Sequence, residues 1–210
     1  MKLFTRTSPS LKGILVALLL IHAQSACTSQ ASAEADGQDT ETLIAKVPDD
    51  WQMIFELNNG DTRLSDFIPA NDDKDNWQTK LSFEAHAQLA DIDPIAIMMG
   101  EISKKNDICS NLDHSNLYSG LENDYPTSVR LILCGENAHT SMGEVSITKG
   151  IQGQDFFYII RLERKVETFE KGKPKFDQKE VAEWSTYLKR IFLCDSASDD
   201  IHACPSSTGS

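Results

Sequence analysis

The first 27 residues constrain this chain most, because they decide how its cysteines are to be read. Lys2, Arg6 and Lys12 make a positive start, and no acidic residue precedes Cys27. Gly13 to Ile21 is an unbroken apolar run, which His22-Ala-Gln-Ser-Ala-Cys27 ends in small residues. That is the three-part layout of a bacterial export signal. The run is shorter than the roughly 20 apolar residues that span a bilayer. Every later apolar run is interrupted by charged or polar residues, so no transmembrane segment is expected in the mature protein.

Two kinds of processing are open. Ser25-Ala26-Cys27 resembles the end of a bacterial lipobox, whose cysteine receives lipid and becomes the new N-terminus. Gln24 departs from that pattern, which usually has Leu there. The alternative is ordinary signal peptidase cleavage, after Ala33 or after Ser25. The reading adopted is lipidation at Cys27. Thr28, where inner-membrane retention would ask for Asp, leans towards the outer membrane.

Export implies an oxidising compartment, where cysteines pair. The chain has five, and once Cys27 is lipidated or removed, Cys109, Cys134, Cys194 and Cys204 remain. Four cysteines allow three connectivities. Pairing of neighbours is expected, Cys109 with Cys134 and Cys194 with Cys204. The first would tie a helix end to a strand, and the second would close a short polar loop. No Cys-x-x-Cys occurs, which argues against a thioredoxin-like redox motif and a zinc knuckle.

Length and charge bound the rest. A chain of 210 residues, less its signal, fits one domain with a real core. The formal charge is −12, and removing the three basic signal residues takes it near −15. Nucleic acid and anionic headgroups need a basic face, so both are disfavoured as partners. Residues 1–26 are read as the signal peptide and 27–46 as a disordered tether of small and acidic residues. A single domain follows over 47–195, then a C-terminal tail over 196–210.

Within the domain, Trp51, Met53, Phe55 and Leu57 alternate as a half-buried strand would. Asn58-Asn-Gly-Asp61 is a hairpin turn signal, and residues 63–68 form the returning strand. A third strand alternates from Trp77 to Ala85. Asp93-Pro94 opens a helix over 95–106 whose apolar face is Ile95, Met98, Met99 and Ile102. Residues 110–127 read as a polar loop. Residues 129–134 form a buried strand, and 143–150 with 156–164 a second hairpin. Asp177-Gln-Lys-Glu180 is a capping box for a helix to about Phe192, with Val181, Trp184, Leu188 and Ile191 as its buried stripe. The fold class is therefore α+β: a single antiparallel sheet with two helices packed on it, stapled by disulfides. The order is similar to the PsbP-like α/β sandwich.

Several short motifs carry a resemblance. They are Pro48-Asp-Asp-Trp51, the Asn76-Trp77 pair, Gly143-Glu-Val-Ser146, Ile151-Gln-Gly153 followed by Tyr158, and Trp184 with Tyr187-Leu188 before Cys194-Asp195. Together they resemble a family of uncharacterised exported proteins and lipoproteins of proteobacteria, over roughly residues 47–195. The resemblance implies export and fold, and assigns no activity.

No catalytic motif stands out. Pairing of Cys109 or Cys134 with His114 or His139 as a nucleophile is incompatible with those cysteines forming disulfides. The mature histidines are His86, His114, His139 and His202. Glu84 and His86 share one strand face, but spacing places no third ligand, so no metal site is expected. Asp72, Asp73 and Asp75 lack the glycine and distal glutamate of a calcium loop. Ser141 lacks the Gly-x-Ser-x-Gly elbow. The residues singled out as possible ligand contacts are Arg161 and, nearby, Tyr158. Tyr158, Ile160 and Leu162 face one way, while Phe157, Ile159, Arg161 and Glu163 face the other. Arg161 thus breaks an apolar face, either to pair with a carboxylate or to orient an anion. No cofactor is expected. The function read from the sequence is a non-enzymatic envelope protein facing the periplasm, binding a protein or small ligand and reaching the membrane only through a lipid anchor. The alternatives are an envelope hydrolase with a dispersed site, and an acidic inhibitor or immunity-like protein.

Overall fold

The structure is a computed structural model and describes residues 41–197 and 203–205. Its elements are β1 (Glu41–Ile44), β2 (Trp51–Asn58), β3 (Thr62–Pro69), β4 (Thr79–His86), α1 (Pro94–Asn106), β5 (Cys109–Ser110), β6 (Asp113–Glu122), β7 (Tyr125–Asn137), β8 (Met142–Gln152), β9 (Phe157–Val166), α2 (Gln178–Leu188) and β10 (Phe192–Asp195). Eight strands form one sheet in the order β2-β3-β4-β9-β8-β7-β5, with β6 also on β7. All its pairings are antiparallel. The two remaining strands, β1 and β10, pair with each other. The α+β architecture with two helices is as the alternation and caps imply.

The helices lie on opposite faces of the sheet, which follows from the two-residue period of its central strands. In β8, Val145, Ile147, Lys149 and Ile151 point towards α2. The alternate positions Ser146, Thr148 and Gly150 point towards α1. The α2 face carries the main core: Leu81, Val129, Ile147, Ile151, Tyr158, Ile160 and Leu162 pack with Leu188, Ile191 and Leu193. The α1 face holds a smaller cluster of Met98, Phe157 and Ile159. Gly150 makes room for it, since a Cβ there would stand 2.9 Å from Phe157 and 3.0 Å from Met98.

Local chemistry sets the element ends. Asp93 caps α1 by accepting from the amides of Ile95 and Ala96 at 2.7 and 3.2 Å, with Pro94 in the first turn. Asp177 caps α2 through the amide of Lys179 at 2.9 Å. Glu180, expected to close a capping box, instead ion-pairs with Arg164 of β9 and so pins α2 to the sheet. In the β2–β3 turn the Asn58 and Asn59 carboxamides accept from the amides of Gly60 and Thr62.

Five expectations are corrected. The tether read over 27–46 yields at its end to β1, whose Thr42 and Leu43 lie opposite Cys194 and Leu193 of β10. The loop read over 110–127 contains β6, an exposed edge strand, turned into β7 by Asn123 and Asp124, both at positive φ. The helix read to Phe192 stops at Leu188, and Phe192 opens β10. In β2 a bulge at Ile54 shifts the register, so Met53 lies opposite Phe67 but Phe55 opposite Asp66. Phe55 and Leu57 beyond it are 47% and 40% exposed, and Met53, before the bulge on the edge strand, is 50% exposed. Of the stripe assigned to α1, Met98 and Ile102 are buried while Ile95 and Met99 are exposed.

Disulfides join Cys109 to Cys134 and Cys194 to Cys204. The first fastens the end of the α1 segment to β7 across 25 residues of chain. A link of that span restricts the unfolded chain by about 3 kcal/mol. The Cys109→Ser/Cys134→Ser variant should therefore lose about that much in urea unfolding.

Candidate functional site

The most telling side chain is Lys149, which is wholly buried on the α2 face of β8. The alternation of β8 requires an inward residue there, and its neighbours on that face are Ile147 and Ile151. An ammonium in such a place must find acceptors. Its Nζ donates to the backbone carbonyls of Leu188 at 3.0 Å and Ile191 at 2.6 Å, where α2 ends. It also pairs with the carboxylate of Glu122 at the end of β6. Three N–H donors thus meet three acceptors. The cation sits on the carbonyl end of α2, where the helix dipole favours it. Burial pulls the Lys149 pKa below its ordinary value, and the Glu122 carboxylate works against that shift.

Above this pair opens a cavity of about 710 Å³ between α2 and the β6–β7 hairpin. Leu117, Tyr118, Val129, Leu188 and Phe192 supply apolar lining. Glu122 and the wholly buried Lys149 are among its polar groups, and Ser185 of α2 and Lys189 at its C-cap stand on it as well. Asn123 also lines it and is fixed by donating to the Leu193 carbonyl at 2.7 Å. A mostly apolar cleft with a few convergent polar groups is the usual form of a small-molecule site.

The residues singled out from sequence lie elsewhere. Arg161 and Tyr158 occupy opposite faces of β9. Arg161 lies under α1 and donates to Glu84 of β4 and Glu101 of α1, each at 3.0 Å. Glu84 also contacts His86 at 3.2 Å. Arg161 is thus a structural strut between helix and sheet. Tyr158 faces the other way, at a groove of about 460 Å³ shared with Glu41, Arg63 and Phe83. Glu41 accepts from the Gln154 amide at 2.8 Å, and burial raises its pKa.

The remaining candidates do not converge. Cys109, Cys134, Cys194 and Cys204 are all in disulfides. His114 and His139 lie on the exposed β6 edge and the β7–β8 turn. Asp72 accepts from the Gln78 amide and Asp73 from the Asp75 amide, so these carboxylates shape their own loop. Ser141 stands at positive φ in the β7–β8 turn. Among the described residues no three His, Cys, Asp or Glu side chains group to hold a metal. Cys27 and His202 lie outside the described residues. Lys149 and Glu122 escape a motif search, although a lysine at an inward position between Ile147 and Ile151 is itself the signal.

No family model matches the chain. No curated protein matches either. Among solved structures, the chain is similar to the crystal structure of LpqN, described as involved in cell envelope biogenesis of Mycobacterium tuberculosis. The TM-score is 0.38 at 10% identity, over 73% of this chain and 83% of that one. No helix among the described residues is long and apolar enough to cross a membrane.

Lys149→Met removes one partner from a buried pair and takes from the Ile191 carbonyl its side-chain donor, while the Leu188 carbonyl keeps the Ile191 amide at 3.2 Å. The expected loss is about 2–4 kcal/mol, moderated because Glu122 can rehydrate. A Lys149→Met/Glu122→Leu double variant should recover part of it. Because folding lowers the Lys149 pKa, the unfolded chain binds the extra proton between the folded pKa and 10.5. The wild type should therefore gain stability relative to Lys149→Met as pH rises through that window, read from urea midpoints.

Proposed function

We propose that this is an exported, non-enzymatic binding protein of the cell envelope that takes a small amphipathic ligand in the cavity between α2 and the β6–β7 hairpin. The observation that carries the reading is the mostly apolar 710 Å³ cavity closed at its base by the Lys149–Glu122 pair. An apolar body would lie against Leu117, Tyr118 and Phe192. A polar end would meet Glu122 and Lys189.

Binding is favoured over catalysis by the state of the lysine. An amine nucleophile needs a free lone pair and a lowered pKa. Here all three N–H groups are committed to acceptors, which holds the ammonium form in place. Lys149 builds the floor rather than attacking from it. The export reading is supported by two disulfides, which persist in oxidising compartments and are rare in the cytosol. Lipidation at Cys27 and the outer-membrane address follow the sequence pattern of the signal.

The edge strand β2 favours a second reading, docking of a protein. It exposes Met53, Phe55 and Leu57 beside Glu56, and its outer hydrogen-bonding edge faces no described strand. Such an edge is a template for a partner strand. This is the surface that an inhibitor or immunity-like protein would use.

A fluorescent apolar anion such as anilinonaphthalene sulfonate serves as probe for the cavity. It should bind the wild type saturably at one site, and Ser185→Trp, which plugs the cavity from α2, should remove the binding while leaving the urea midpoint unchanged. Equal binding by Ser185→Trp would place the apolar site elsewhere and remove the support for this reading. Separately, intact mass of the protein from a membrane fraction should begin at Cys27 with acyl chains attached. A soluble species beginning at Glu34 would discard the anchor.

A further inference from the structure

The α1 face of the sheet holds an arginine that the fold does not explain. Arg130 of β7 is only 9% exposed. Among the described residues its Nε has no hydrogen-bond partner and no carboxylate pairs with it. A guanidinium carries five donors and a permanent charge, and burying it without an acceptor is costly. Buried arginines are normally paired.

The orphan donors are not confined to that one residue. Thr148 of β8 is directly opposite Arg130 in the sheet register, and Ser146 is opposite the neighbouring Ile132. Both are buried, at 0% and 1% exposure, and neither Thr148 Oγ1 nor Ser146 Oγ has a hydrogen-bond partner among the described residues. Side chains opposite one another in an antiparallel pair stand about 5 Å apart, and diagonal neighbours about 7–8 Å. The register therefore puts a guanidinium and two hydroxyls side by side on one face, each with donors to spare.

The carboxylates of this face are engaged elsewhere. Glu84 and Glu101 hold Arg161, while Glu144 and Glu163 pair with Lys105 of α1. Asn137 adds a donor to Glu144 at 3.0 Å. None of these acids is within ion-pair reach of Arg130, so its charge has no counterpart among the described residues. A tetrahedral oxyanion supplies what is missing: several acceptor oxygens and a negative charge, in a form that the planar guanidinium fork matches.

We propose that Arg130, Thr148 and Ser146 form a subsite for a phosphate-type oxyanion on the face of the sheet opposite the α2 cavity. The anion would be free in solution or carried on a lipid headgroup, with the same recognition chemistry in either case. The subsite is independent of the ligand assigned to the cavity, because different strand faces build the two.

The test is a correlation spectrum of arginine Nε–Hε groups, recorded on the full-length chain with its disulfides intact. Inorganic phosphate is titrated at constant ionic strength. One Hε signal, absent in Arg130→Gln, should move and saturate. Arg130→Lys keeps the charge but loses the fork, and Thr148→Val loses one donor. Each should weaken phosphate binding about tenfold, the worth of one hydrogen bond to a charged group, read by titration calorimetry because Arg130→Lys has no Hε signal. These two variants carry the test if Arg130→Gln fails to fold. Phosphatidylglycerol vesicles moving the same signal when free phosphate does not would make the headgroup the source and leave the subsite standing. An Arg130 signal unmoved by either probe, or phosphate binding equal in wild type and Arg130→Lys, would overturn the proposal.

Discussion

One ammonium group ties together parts of this fold that are far apart in the chain. Lys149 stands in the middle of β8, yet its three acceptors belong to the end of β6, the end of α2 and the segment entering β10. Without the ammonium the Ile191 carbonyl would lose its side-chain donor, while the Leu188 carbonyl would keep the Ile191 amide. Without those carbonyls and Glu122, a buried lysine would not be tolerated. The same three contacts fix where α2 stops, how β6 closes over the sheet and what lies at the base of the cavity. Packing and the shape of the cavity therefore share one origin.

The two faces of the sheet use different physics. Towards α2 the burial is largely hydrophobic, with Ile147, Ile160, Leu81 and Leu193 wholly enclosed, and Lys149 with its partners, Thr127, and Thr79 beside the Arg164–Glu180 pair break the run. Each such side chain contributes about 1.5–3 kcal/mol. Towards α1 the sheet carries a layer of charge and hydroxyl: Arg161 between Glu84 and Glu101, Lys105 against Glu144 and Glu163, and the row of Arg130, Thr148 and Ser146. Such pairs add less net stability than their distances suggest, since each charge has been taken from water. They do set the angle of α1, because a shifted helix would break both the Glu101 and the Lys105 contacts.

What was legible in the sequence was what is determined locally. Asp93-Pro94 announces the start of α1, and Asn58 and Asn59 shape their turn with their own carboxamides. The alternation of β9 correctly separates Tyr158 from Arg161. What was not legible depends on distant partners. β1 is a strand only because β10 lies beside it, with Glu41 opposite Asp195 in register. β6 shows little alternation because so much of it is solvent-exposed, and its turn rests on Asn123 and Asp124 at positive φ rather than on a glycine. Ile54 gives no sign of the bulge that exposes Phe55 and Leu57. The cavity needs Lys149 and Glu122, 27 residues apart, and no spacing rule connects them. Arg161 drew attention as a charge on an apolar face, and the same logic applied to β8 would have found Lys149.

The central claim is that Lys149 is a buried ammonium ion held by three acceptors, and side-chain nitrogen NMR tests it most directly. At neutral pH the account predicts a Lys149 signal with the quartet of an ammonium group, protected from solvent exchange and lost in Lys149→Met. That signal should move when Glu122 is replaced by Gln. A neutral amine, or an ammonium exchanging as fast as surface lysines, would contradict the account.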